Sequence, residues 1–274
     1  MTLENQEIIR TFLDEQYALH HQKFFIEKDP ISIPHQYTKL QDIEISGFFA
    51  AILAWGQRKT IIKKCQELMQ MMDNAPYQFI VGHKESDLKP FLSFKHRTFN
   101  AEDTLYCIHF LKFWYGQNTS LETAFSQFLK NEDKNIQNAL IGFRHLFFSL
   151  PEAPRRTEKH IATPAKNSAC KRLCMYLRWL VRKDTGKVKI DFGLWEKIKP
   201  WQLVCPCDVH TERTARLLGL VKEKQTNWRM AVELTENLKK FDAQDPTKYD
   251  FALFGSSEKN LLGVYLPKIK KAAQ

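Results

Sequence analysis

Apolar residues recur three and four positions apart along most of the chain, and sustained β-branched alternation is scarce, so the pattern predicts helices almost throughout. The clearest case is residues 44–73, EISGFFAAILAWGQRKTIIKKCQELMQMMD. It opens as a long apolar helix, breaks near Gly56, and resumes as an amphipathic helix with Ile61, Ile62, Cys65, Leu68, Met69 and Met72 inside. Further helices are expected at 102–115, 120–130 and 135–149, separated by Asn-Ala-Pro-Tyr, Gly-Gln-Asn-Thr-Ser and Leu-Pro-Glu-Ala-Pro. The N-terminal MTLENQEIIRTFLDEQY reads as another amphipathic helix, and 168–183, 228–240 and 246–254 complete the set. The proline-rich PEAPRRTEKHIATPA at 151–165 is expected to be an exposed loop. Asp184–Pro206 should be a second loop with a short helical piece near Leu194–Ile198, and the basic LPKIKKAAQ a loose end. The predicted fold class is all-α.

Composition narrows the class. A chain of 274 residues with 43% hydrophobic and 26% charged residues has material for one large domain or two small ones. Its N-terminus has acids among the apolar residues and no small-residue cleavage site, unlike a signal peptide. No apolar run approaches the roughly 18 uncharged residues of a membrane span, so a cytoplasmic location and no membrane partner are expected. Six cysteines in such a chain are expected to be thiols. Cys170/Cys174 and Cys205/Cys207 could be imagined as zinc ligands, but three and one intervening residues do not match the usual knuckle spacing at both ends. No metal or cofactor is expected.

Charge adds a partner. Residues 155–225 hold seventeen Lys and Arg against seven Asp and Glu, while the remainder balances at 24 against 24, so this quarter of the chain carries the whole net charge of +10. Such a concentration is the electrostatic footprint of a polyanion partner, DNA or RNA.

Two motifs in that segment carry candidate chemistry. On a helical wheel, SACKRLCMYLRWLVRK sets Leu173, Tyr176, Leu177, Leu180 and Val181 on one apolar face and Lys171, Arg178 and Arg182 almost opposite, as a basic rail. Lys171 is either a solvated lysine at a helix start or an amine nucleophile favoured by the positive end of the helix dipole and the adjacent Arg172. Asp208, ahead of VHTERTARLLG, fits a helix N-cap with Gly219 as the C-terminal stop. Capping would also hold its carboxylate ionised, ready to stabilise developing positive charge.

These motifs together resemble the helix-hairpin-helix DNA glycosylase superfamily, which includes endonuclease III and the 8-oxoguanine DNA glycosylases. The string VCPCDVHTERTARLLGL is similar to the segment where that family's catalytic aspartate opens a helix, and Asp208 matches it. SACKRLCMYLRWL falls where the family has its hairpin and lysine-bearing helix, and Lys171 matches the lysine. GFFAAILAWGQRKTIIKKCQEL resembles the family's early helix pair, with Gln57 at its glutamine. Over roughly residues 44–255 the chain is most similar to archaeal 8-oxoguanine glycosylases and to a bacterial family of this length. Tyr249–Phe254 resembles the archaeal pattern of an acid four residues before an aromatic. The hairpin departs from the family's Leu-Pro-Gly-Val-Gly, reading Thr163-Pro164-Ala165-Lys166-Asn167-Ser168-Ala169-Cys170, although Asn can adopt positive φ and Lys166 can meet a phosphate.

The resemblance implies a two-lobed fold, with residues 45–185 in one lobe and 1–44 plus 186–274 in the other, the active site between them, and Asp184–Pro206 looped out. It implies a monomer acting on double-stranded DNA with a damaged base, most of all 8-oxoguanine. Lys171 would form a Schiff base and Asp208 would stabilise the transition state, giving base release and strand nicking. Gln57, Lys166, Asn167, Ser168, Arg172, His210 and Arg213 would contact DNA, and Trp55, Asp250 and Phe254 would form the base pocket. His160, like His210, is expected to make polar surface contacts. The alternative from another class is a non-catalytic nucleic-acid-binding helical module, which the same charge and helices would serve.

Overall fold

A computed structural model describes residues 2–259 together with 263, 265 and 267. Twelve α-helices are found among them: α1 Leu3–His20, α2 Lys23–Glu27, α3 Leu40–Ile52, α4 Arg58–Gln70, α5 Pro76–Gly82, α6 Ala101–Tyr115, α7 Glu122–Ser126, α8 Gln137–Phe147, α9 Lys171–Val181, α10 Val209–Leu217, α11 Trp228–Leu238 and α12 Asp250–Lys259. Short 3-10 turns join several of them, and the described residues form no strand, only isolated bridges at His96/Phe99 and Lys183/Phe192. The all-α expectation holds. No described helix is long and apolar enough to cross a membrane. The basic end at 266–274, apart from Pro267, lies outside the described residues.

Helices α3 and α9 form the centre. Every residue from Ile43 to Ile52 is buried, as is every residue from Leu173 to Val181, so both helices are covered on all sides. A helix apolar or buried all round belongs in a core and not at its edge. They touch at Gly47, where a Cβ would sit in ordinary van der Waals contact with the Tyr176 ring, at 3.5 Å. Tyr176 also donates from its hydroxyl to the Glu44 carbonyl at 3.0 Å. At the periphery, α1 packs on α12 and α12 on α10, which brings the first described helix against the last.

Helix boundaries follow local signals. Thr2 caps α1 by accepting from the Asn5 N–H at 3.2 Å. Asn100 and Asp103 form a capping box at the start of α6. The break expected at Gly56 is real, with φ +109° at that residue between α3 and α4. The helices expected at 120–130 and 168–183 contract to α7 and α9.

Several expectations are corrected. Residues 184–206 do not loop out: Ile190, Asp191, Trp195, Ile198, Leu203 and Val204 are buried, and the segment's short turn is a 3-10 helix at Pro200–Gln202 and not a helix near 194–198. The reason is Glu44, fully buried on α3, which needs donors. Trp195 supplies its indole N–H at 2.7 Å, Tyr115 its hydroxyl at 2.7 Å and Leu121 its N–H at 3.1 Å. Likewise, 151–165 is not a bare surface loop, because a 3-10 helix at Arg155–His160 buries Thr157 and His160.

Candidate active site

Two αL residues steer the hairpin into α9: Asn167 at φ 54° and Cys170 at φ 50°. Asn tolerates this region because its short polar side chain bonds locally. Lys171 is then the first residue of α9. Asp208 caps α10, its Oδ1 accepting from the His210 N–H at 2.9 Å and the Thr211 N–H at 3.0 Å. Its Oδ2 accepts from Lys171 Nζ at 2.8 Å, although the two residues lie 37 apart in sequence. Their side chains remain 32% and 18% exposed, so the pair is accessible. Burial pushes the Asp208 carboxyl up, but the Lys171 charge and hydrogen bond and the two backbone N–H groups outweigh it and hold the carboxyl below its ordinary range.

The pair lies on the wall of a cavity of about 980 Å³, large enough for a nucleobase and its sugar. Trp55, Gln57, Ser168, Arg172, His210 and Phe254 share that wall. Trp55 is wedged between His96, with ring centroids 4.9 Å apart, and His160 at 5.5 Å. His160 is therefore structural and not a surface group, buried with Nε2 3.4 Å from Asp103 Oδ2. The close approach of His160 and hydrogen bonds from the Asn100 N–H and the Thr157 hydroxyl overcome the upward push of burial and draw the Asp103 carboxyl down to about 2. Arg172 lies over Trp55 at 4.9 Å and donates to the carbonyls of Ile52 and Lys159, so its guanidinium braces the wall from within. Burial brings that guanidinium down to about 10. Gln57 is exposed at the start of α4. Phe254 is covered by Arg58 at 4.8 Å and meets His210 edge-on at 6.0 Å.

Behind the pair a narrow recess of about 40 Å³ is lined by Asp29, Arg178, Asp250 and Phe254. Asp250 binds the Arg178 guanidinium, yet burial raises its carboxyl to about 6. Asp29 was not singled out in the sequence. Its Asp-Pro step, a turn-starting signal, could have flagged the local geometry but not the neighbours that α9 and α10 bring to it.

Of the other expected DNA contacts, Lys166, Asn167 and Arg213 are exposed outside the main cavity. Lys166 bonds Glu158 at 3.1 Å, and the Asn167 carbonyl accepts from the Trp228 N–H at 3.2 Å. Lys166 and Ser168 border a shallower depression with Arg155, Arg156 and Lys159. The basic rail is corrected: Arg178 and Arg182 are buried, not displayed. Among the described residues no three His, Cys, Asp or Glu gather as a metal site, and all six cysteines are buried and free.

The family described as "Protein of unknown function (DUF2400)" matches residues 29–258, and the chain belongs to it. No curated protein and no solved structure matches the chain.

Proposed function

We propose that this member of the DUF2400 family is a bifunctional DNA glycosylase and AP lyase with a two-lobed helix-hairpin-helix architecture, excising an oxidised base, 8-oxoguanine foremost, from double-stranded DNA. The observation that carries this reading is the 2.8 Å contact between Lys171 Nζ and Asp208 Oδ2 on the wall of a cavity of about 980 Å³. An amine and an ionised carboxylate held together at an open cleft by two helix N-termini suit a reaction that builds positive charge next to a nucleophile. The packing of α1, α10 and α12 supports a second lobe made from both chain ends, with the first lobe beginning at Leu40, where α3 starts.

In this mechanism the damaged nucleotide is extruded into the cavity at a cost of about a few kcal/mol. Lys171 gives one ammonium proton to the departing base, the amine so freed bonds to C1′ as the glycosidic electron pair leaves with the base, and Asp208 faces the charge developing at C1′. The nitrogen, now bonded to C1′, passes a second proton to the ring oxygen O4′, and its freed electron pair forms the C1′–N double bond as O4′ leaves C1′ as a hydroxyl, giving an iminium. Trp55 and Phe254, held in place by their neighbours, border the space the extruded base would enter, and the exposed Gln57 would meet the duplex. Lys159 on the cavity wall, the exposed Arg155 and Lys166 of the adjoining depression, and the exposed Arg213 of α10 would supply phosphate contacts.

Those cations also favour a second reading, a nucleic-acid-binding module without chemistry. Duplexes carrying a single 8-oxoguanine, an oxidised pyrimidine or an abasic site separate the two. The enzyme reading expects base release and nicking by the wild type, and neither by Lys171→Gln, with DNA binding retained. Equal nicking by the variant would move the nucleophile to another lysine such as Lys166, and no nicking by the wild type on any duplex would favour the binding module.

A further inference from the structure

Three carboxylates, Asp29, Asp208 and Asp250, line the recess that Lys171 also lines, and their surroundings differ. Asp208 has both oxygens engaged, Oδ2 by Lys171 and Oδ1 by two backbone N–H groups. Asp250 is buried and bound to Arg178. Asp29 stands on the wall shared by the main cavity and the recess. Its Oδ1 caps the 3-10 turn Pro30–Ser32 by accepting from the Ile31 N–H at 3.1 Å. Its Oδ2 has no hydrogen-bond partner among the described residues. Burial pushes the Asp29 carboxyl up against the Ile31 hydrogen bond and the attraction of Arg178, Arg58 and Lys171. Asp208 is pushed the other way. Acids whose environments move them apart divide the work: the lowered one remains an anion, and the raised one can exchange a proton.

We propose that Asp29 is the proton acceptor for strand cleavage in the reaction assigned above, on which this inference rests. Once Lys171 has formed its iminium with C1′, Asp29 Oδ2 removes a proton from C2′. The C–H electron pair becomes the C1′–C2′ π bond, and the iminium π pair moves onto nitrogen to give an enamine. The nitrogen pair then re-forms the C1′–N double bond, the C1′–C2′ pair shifts to C2′–C3′, and the C3′–O bond breaks with its electrons leaving on the phosphate. The proton held by Asp29 exchanges with water. Asp208 has both oxygens engaged, and Asp250 is bound to Arg178 through Oδ2 and lines only the narrow recess, away from the main cavity wall on which Asp29 stands.

Asp29→Asn tests the assignment, because asparagine keeps the capping oxygen and loses the acid. On duplex DNA with an abasic site, borohydride trapping should persist at the wild-type level while nicking slows roughly 10²-fold. Asp29→Glu should recover part of the nicking. Nicking by Asp29→Asn at the wild-type rate would overturn the proposal, as would parallel loss of trapping and nicking, which would make Asp29 merely structural. Absence of trapping by the wild type would instead overturn the parent reading.

Discussion

Helix α9 carries two sets of basic residues with different surroundings. In its first turn Lys171 meets one carboxylate, Asp208, at a cavity wall where the pair is still reached by solvent. Two and three turns later, Arg178 and Arg182 are almost fully buried. Arg182 binds Asp191 at 3.0 Å, Asp245 at 2.9 Å and the Tyr17 hydroxyl at 2.9 Å, and also pairs with Asp184, while His21 reaches Asp184 at 2.9 Å. The second set ties α9 to α1, to the 184–206 segment and to the approach to α12. The first set has few partners and an open face. The sign of charge is the same in both, and burial decides which is mechanical and which is available for chemistry.

The sharpest way to break this contrast is Lys171→Gln. It should abolish nicking and covalent trapping, yet cost only about 1 kcal/mol of stability, because a partly exposed ion pair contributes little. Unfolding of this variant well below the wild-type Tm in a thermal melt would place Lys171 with the mechanical set.

Arg182→Ala should do the reverse. Removing one partner leaves Asp184 and Asp191 buried without their cation, at about 3–5 kcal/mol, which lowers Tm by roughly 6–20 °C in a chain of this size. Nicking per folded molecule, measured well below the melting transition, should be retained.

Asp208→Asn sharpens the account of the open pair. Asparagine is as good a cap as aspartate, so Tm should change by less than about 1 kcal/mol in stability terms. Loss of the anion beside C1′ should cut base release by roughly 10²-fold or more. Retained rates would show that the carboxylate serves only as a cap.

The smallest effect is the pH dependence of that same variant. The folded carboxyl of Asp208 lies below its unfolded value of about 3.9, so its contribution to stability is present above that value and lost as pH falls through the folded one. The part of the Tm difference between wild type and Asp208→Asn that comes from ionisation should therefore hold at neutral pH and close below about pH 4. A difference that widens with acid would contradict the sign.

The helical class, the Gly56 break, the Asp208 cap and the approach of Lys171 to Asp208 were all legible in the chain, because each rests on local spacing or on an ordered set of motifs. The basic rail was not. A wheel places Arg178 and Arg182 opposite the apolar stripe of α9 but cannot show that Asp184, Asp191, Asp245 and Asp250 arrive from elsewhere to cover them. The 184–206 segment misled for a similar reason. Its glycines and prolines signal a loop, while the demand of buried Glu44 for the Trp195 N–H acts at a separation of 151 residues. Asp29 remained invisible because its local role, capping one short turn, carries no sign of the amine beside it.

The most direct test of the central claim is the position of the covalent adduct. Wild-type protein is incubated with an abasic-site duplex in the presence of borohydride, digested, and the modified peptide sequenced by mass spectrometry. The account predicts a reduced sugar adduct on Lys171. An adduct on Lys166 or another lysine, or no adduct at all, would contradict it.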